Sequence, residues 1–206
     1  MTLSLCLLAG CGQSVETTAR LTVKVGDASQ AEVAKTMEVL LARFNSSKPA
    51  ASSVSATAEA GAIRFDFRGE SRSPAEIIYL GVVQGAYALG PSDAPDQPWI
   101  RDLDFVSAEC VRKDDKVYLD TQVSHEKGLW LREVSRANIG KVLETYWDGK
   151  VVSQTTLHGV MEDHFKSPLP QDNHTDLMCI ILKSGRTPVA IPDYDFKLAT
   201  TELPTG

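Results

Sequence analysis

Apolar and polar residues alternate along "LTVKV" (21–25), the period of a strand with one buried face. The phase then changes. Asp27-Ala28-Ser29-Gln30 has the shape of a helix capping box, and Val33, Met37, Leu40, Leu41 and Phe44 recur at helical intervals on one side. The stretch "NSSKP" (45–49) supplies the stop. Small residues around Val54 lead through Gly61 into "AIRFDF" (62–67), which alternates cleanly, so these two segments predict a hairpin. Ser73-Pro74 opens a second, short helix through Glu76, Ile77 and Leu80; proline suits a first turn, where its missing N–H costs nothing. Residues 85–89 supply a fourth strand. The order strand, helix, strand, strand, helix, strand is that of a ferredoxin-like unit, with helices on one face of an antiparallel sheet.

The polar, proline-rich "GPSDAPDQP" (90–98) marks a boundary. Beyond it, 105–111 and 117–123 read as strands joined by a turn at Lys113-Asp114-Asp115. Ser124 caps a helix carrying Trp130, Val134 and Ala137 on one side. Residues 141–147 and 150–156 flank Asp148-Gly149, the strongest hairpin signal in the chain because both turn residues tolerate positive φ. A last helix follows Asp172, with Leu177, Met178, Ile181 and Leu182 apolar and Gly185 as its stop. "PVAI" (188–191) closes the sheet, and the tail 193–206 is expected to be loose. The pattern as a whole predicts an α+β protein: a base half over 21–90 and a second α+β half over 99–192.

Composition narrows the function. The 206 residues carry a net charge of -6, with 43% hydrophobic and 23% charged residues. A nucleic-acid binder needs a basic face to displace counterions, and no Lys/Arg run provides one. No stretch after the first residues approaches the roughly 20 apolar residues that span a bilayer. The first ten residues, "MTLSLCLLAG", hold a short apolar run suited to a signal-peptide core, and Leu8-Ala9-Gly10-Cys11 resembles a bacterial lipoprotein lipobox. That resemblance implies cleavage after residue 10, acylation of Cys11, and a polar tether over 11–20 that reaches at most about 30 Å. It also implies a place in the bacterial cell envelope, facing the periplasm. Cys110 and Cys179 then remain, either paired as a disulfide in an oxidising compartment or buried as two small hydrophobic thiols.

The stretch "NIGKVLETYWDGKVVSQTTLHG", followed by "HF" and then "ILKSGRTPVAI", resembles the first large periplasmic domain of SecD, the membrane partner of the bacterial protein-export channel. Asn138, Gly140, Lys141, Asp148, Gly149, Val151, Ser153, Gly159, Phe165, Ser184, Gly185, Pro188 and Val189 follow that family's order. Upstream, "TMEVLLARFN" (36–45) resembles the Arg- and Asn-containing helix of its base. The sequence departs at Gln154-Thr155, where the family has Ala-Pro, and at Thr187, where it has Leu. The family's membrane helices and proton-coupling acids have no counterpart in these 206 residues, so the resemblance implies a detached periplasmic module with a base and a head. Its implied partners are Sec translocon components or exported polypeptides; the alternative is a structural or assembly lipoprotein of the envelope.

Catalytic chemistry has little support. His125, His158, His164 and His174, with Glu162, Asp163 and Asp172 nearby, match no metal-ligand spacing, and no cofactor is implied. There is no nucleophile elbow, phosphate loop or dinucleotide fingerprint. Asp104 and Glu109 flank a strand and are read as solvated, as are Asp114 and Asp115. Trp130, Tyr146 and Trp147 either line an exposed partner-binding groove or belong to the core.

Overall fold

The computed structural model describes residues 15–46, 52–172 and 174–202. In chain order they form β1 (Val15–Lys24), α1 (Gln30–Ser46), β2 (Ser53–Glu59), β3 (Ala62–Arg68), α2 (Pro74–Val82), β4 (Tyr87–Pro91), β5 (Ile100–Arg101), β6 (Phe105–Lys113), β7 (Lys116–Val123), α3 (His125–Arg136), β8 (Val142–Trp147), β9 (Lys150–Thr156), β10 (His164–Pro168), α4 (Thr175–Ser184) and β11 (Asp193–Glu202). These make three antiparallel sheets, ordered β11-β1-β3-β2, β10-β7-β6 and β5-β4-β8-β9. The α+β class and the helix-covered base are as the pattern predicts.

The base sheet is completed by an unexpected strand. β4, placed by sequence in the base, instead pairs with β8, from Tyr87↔Trp147 to Pro91↔Leu143. The position beside β1 goes to β11, which pairs with it over ten residues from Val15↔Glu202 to Lys24↔Asp193. The tail 193–206 is therefore not loose through Glu202, and the tether expected over 11–20 is strand from Val15 onward. Residues 188–191 form no strand. The stretch "DYDFKL" (193–198) does alternate polar and apolar residues, a strand signal that the sequence reading missed, and the ladder on β1 carries it through Glu202. The second half is thus inserted into the base, between α2 and β11.

Local chemistry explains the remaining boundaries. α1 is capped two residues later than the spacing suggests: the Ser29 N–H donates to the Glu32 carboxylate at 2.9 Å, and the Glu32 N–H returns to Ser29 Oγ at 3.3 Å. Ser73 and Glu76 make the same reciprocal cap on α2, with Pro74 at the first helical position. Asp148 (φ 47°) and Gly149 (φ 77°) take the left-handed conformations that let a two-residue turn join β8 to β9.

Alternation buries Ile63, Phe65 and Phe67 of β3 beside Leu21 and Val23 of β1. Phe44 of α1 lies edge-on to Phe65 and Phe67, with ring centroids 5.1 and 5.0 Å apart. α2 comes so close that a Cβ on Gly81 would sit 2.4 Å from Leu21 Cδ2. α4 packs against α1 and α2 on the base side and against β6 on the other, and so joins the two halves.

Candidate functional site

The motif residues converge on the seam between base and head. Arg43, fully buried on α1, donates from Nη1 to the carbonyls of Leu80 (3.2 Å) and Val83 (2.6 Å) and from Nη2 to those of Gln84 (3.0 Å) and Gly185 (2.9 Å). Its guanidinium thus collects the ends of α2 and α4, where helix carbonyls lack partners and the dipole favours a cation. Burial lowers its pKa to about 10, and the Asp148 carboxylate acts in the opposite sense. Asp148 accepts the N–H groups of Gln84 (3.1 Å), Gly85 (3.0 Å) and Ala86 (2.7 Å). Gly85 is required here: its φ is 85°, and a Cβ would lie 2.4 Å from Ile181 Cγ2 and 3.3 Å from Arg43 Nη2. Thr187 closes the seam, its N–H donating to the Gln84 carbonyl at 3.2 Å.

The other motif residues shape the head. Asn138 Nδ2 donates to the Val134 carbonyl at 2.7 Å and ends α3. Gly140, at φ 89°, donates to Leu157 and turns the chain into β8. Ser153 pairs with Thr145 beside a bulge in β9, and Pro188 lies exposed in the loop before β11.

The three aromatics do not share a groove. Trp147 is buried, close to Gly85 at the seam. Tyr146 is also buried; its hydroxyl donates to Glu144 Oε2 at 2.5 Å, and burial with that carboxylate pushes its pKa up to about 12. Trp130 alone is open, 47% exposed on α3 beside exposed Leu129, with Lys127 Nζ 4.7 Å from its ring centroid.

The histidines are likewise dispersed. His164 meets Asp120, His125 lies 3.7 Å from Asp163, and His174 stacks on Tyr79 at 4.9 Å. Among the described residues no group of three or more His, Cys, Asp or Glu is placed to hold a metal ion. Asp104 accepts from the Arg101 N–H at 2.8 Å and pairs with Lys127 at 3.4 Å, so it is engaged apart from Glu109.

An apolar groove lies where β6 of the head meets α4. Cys110 of β6 is disulfide-bonded to Cys179 of α4, with Cα atoms 5.9 Å apart. This pairing resolves the alternatives that sequence left open. The groove, of about 510 Å³, runs beside it, lined by Ala108, Leu119, Ile180 and Leu182 with Glu109 and Lys183 at its polar margin. β6 is an edge strand, with a sheet neighbour on one side only. A bulge between Phe105 and Ser107 leaves Val106 without a partner on β7, and Val106 (66%) and Leu103 (78%) are exposed. Sequence reading missed this place. In sequence Val106 is in phase with Ala108 and Cys110, so the bulge that sets it apart left no signal there.

A split β-α-β-β-α-β base closed by a C-terminal strand, with an α+β head inserted before that strand, is a specific arrangement. The chain shares its fold with the periplasmic domain of SecDF. It matches a crystal structure of SecDF in a super-membrane-facing form with a TM-score of 0.65 and 15% identity, over 88% of this chain and 30% of that one. It therefore spans about 30% of the length of that SecDF chain. A second match is a structure of SecDF described as a membrane component that enhances protein export: TM-score 0.59, 15% identity, 91% of this chain and 99% of that one. No protein-family model matches the chain, and no curated protein matches it significantly. No helix among the described residues is long and apolar enough to cross a membrane. The SecDF-like fold and the disulfide are consistent with an extracytoplasmic location. Cys11 lies outside the described residues.

Proposed function

We propose that this chain is a lipoprotein of the bacterial envelope, held by acylated Cys11, that assists protein export by contact and without catalysis. The observation that carries the reading is the open edge of β6 beside an apolar groove, on a fold shared with SecDF. An extended polypeptide can add to such an edge through main-chain hydrogen bonds, which tolerate any sequence. Its alternate side chains would meet Ala108, Leu119, Ile180 and Leu182, a surface that rewards apolar residues without selecting one. A chain in transit presents both features: unpaired backbone and exposed apolar side chains. No energy source is implied; binding on the far side of a membrane biases movement by retarding return.

A photo-crosslinking residue at Val106, introduced into the lipidated protein in cells, tests this. Adducts with exported chains or translocon components are expected at Val106 and not at Glu133 on the exposed side of α3. If neither is recovered while SecD itself is captured, the export role is wrong. Intact secretion with a leaky envelope in a deletion strain would point instead to an assembly lipoprotein.

A further inference from the structure

The face of the base sheet that carries no helices has its charges sorted along its length. Strand register places Ser53, Arg68, Thr18 and Ala199 in one row across the sheet and Ser55, Asp66, Arg20 and Lys197 in the next. Those two rows hold three cations against one carboxylate, and the last row at that end, Glu16-Thr201, adds a second carboxylate, so the end carries three cations against two carboxylates. The two rows at the other end, Thr57-Arg64-Thr22-Asp195 and Glu59-Ala62-Lys24-Asp193, hold two cations against three carboxylates. The carboxylate-rich end is also internally paired, through Lys24–Asp193 at 2.7 Å and Arg64–Glu59 at 2.6 Å. At the cationic end Arg20 pairs with Asp66, and Lys197 reaches Asp195 at 3.3 Å, but Arg68 has no ion-pair partner among the described residues. Arg20, Arg68, Lys197, Thr18, Ser53 and Ser55 line a concavity of about 680 Å³, together with Asp66, whose charge Arg20 and Arg64 both offset.

This cationic end is the one where β1 begins. Only Gly12, Gln13 and Ser14 separate Cys11 from Val15, so the anchor is at most about 14 Å from the strand by covalent reach. In a chain of net charge -6, the cations gather at the end that an anchor would hold nearest the lipid.

We infer that the Arg20–Arg68–Lys197 face is a docking surface for the anionic phospholipid headgroups of the bilayer to which the chain is tethered. Hydroxyls and guanidinium groups in a shallow concavity suit a headgroup phosphate, and the carboxylate-rich far end is repelled from the same surface. The face would therefore orient the module, with β1 and β11 entering from the membrane and the head held away from it. This rests on the anchoring proposed above, but the headgroup contact can be measured without the acyl chains.

The mature chain, residues 11–206 with Cys11→Ser so that it carries neither the apolar leader nor acyl chains, is sedimented with vesicles of phosphatidylglycerol and phosphatidylcholine, and with vesicles of phosphatidylcholine alone. A preference for phosphatidylglycerol that weakens with added salt is expected. Each cation near an anionic surface is worth about a fivefold change in affinity. Arg68→Gln should thus lower the preference about fivefold, and Arg68→Glu with Lys197→Glu by more than tenfold. These positions are on the surface, so the melting temperature should hold, and the circular dichroism spectrum checks it. Equal partition onto both vesicle types overturns the inference, as does a double variant that binds as tightly as its parent. Binding to soluble polyglutamate without a preference for phosphatidylglycerol would give the face to an acidic polypeptide and overturn it too. Mass spectrometry of the wild-type N-terminus reports on Cys11 separately, so failed anchoring and failed headgroup binding are read apart.

Discussion

The base and the head solve the burial problem differently. The base folds one sheet over Phe44, Phe65, Phe67 and Leu21, all buried, and closes it by joining β1 to β11, far apart in sequence. The head divides its strands between two sheets, of three and four strands, and leaves more large apolar side chains in water. Among the described residues, the exposed large hydrophobic side chains Leu103, Val106, Leu129, Trp130, Ile139, Val142, Val151 and Val160 belong to the head, against Tyr194 and Leu198 in the base. Scattered exposed apolar residues are ordinary in folded proteins, but this concentration on one half is a division of labour. On the function proposed above, the base would serve as a platform and the head as the part that makes contact.

If that division is right, the largest stability effect should come from the seam that serves both halves. Arg43→Ala would take the guanidinium donors from the carbonyls of Leu80, Val83 and Gly185, leave Gln84 only its Thr187 N–H, and open a cavity between α1, α2 and α4. A loss of about 4 kcal/mol is expected by denaturant unfolding, since removing one partner strands the others in low dielectric. In the wild type, base and head share that seam and should unfold in one transition with the same midpoint. Separate wild-type transitions by circular dichroism and by tryptophan fluorescence, which reports the head because Trp99, Trp130 and Trp147 all lie there, would show that the seam does not couple the halves.

Removing the disulfide is the next largest change and acts on the head's groove. Cys110→Ser with Cys179→Ala should cost about 3 kcal/mol, the usual scale for a bridge that closes a long loop. It should also lower crosslinking at Val106, because α4 is then released from β6. Unchanged crosslinking would mean that the groove does not need the bridge to keep its shape.

The smallest effect sharpens the comparison from the base side, through pH. Glu70 is buried with Arg72, their atoms 2.5 Å apart. Burial acts to raise the Glu70 pKa, but hydrogen bonds from the Arg72 side chain and from the N–H groups of Arg72 and Ser71 outweigh it, and the net shift is downward. The folded value lies below the unfolded one, so this contribution is complete above the ordinary glutamate range and is lost as pH falls through the folded value. The stability gap between wild type and Glu70→Gln should therefore narrow from about pH 5 to about pH 3. A gap that widens on acidification would contradict the pairing.

Much of this molecule was legible from local pattern. The Ser73/Glu76 cap, the Asp148-Gly149 turn and the stop at Gly185 each depend on a few neighbouring residues. So do the alternations of 62–67 and 117–123. Such signals are read in sequence because the hydrogen bonds and dihedral preferences behind them are short-range. The resemblance to SecD rested on those same motif residues, and they proved to be architectural: Asp148, Gly185 and Arg43 meet at the seam, and Asn138 and Gly140 turn the chain into β8. Sequence left open whether Tyr146 and Trp147 face a groove or the core, and both are buried; alternation shows that a residue faces a side of the sheet but not what covers that side.

By itself the sequence determined the helices, most strands, the tight turns and the α+β class, since each follows from periodicity and turn chemistry within a short window. Only the tertiary structure decided that β11 and not β4 completes the base, that Cys110 meets Cys179, and that an edge of β6 is left open. Those are pairings between distant segments, set by which surfaces bury the most apolar area and satisfy the most backbone groups at once. No local window contains both partners.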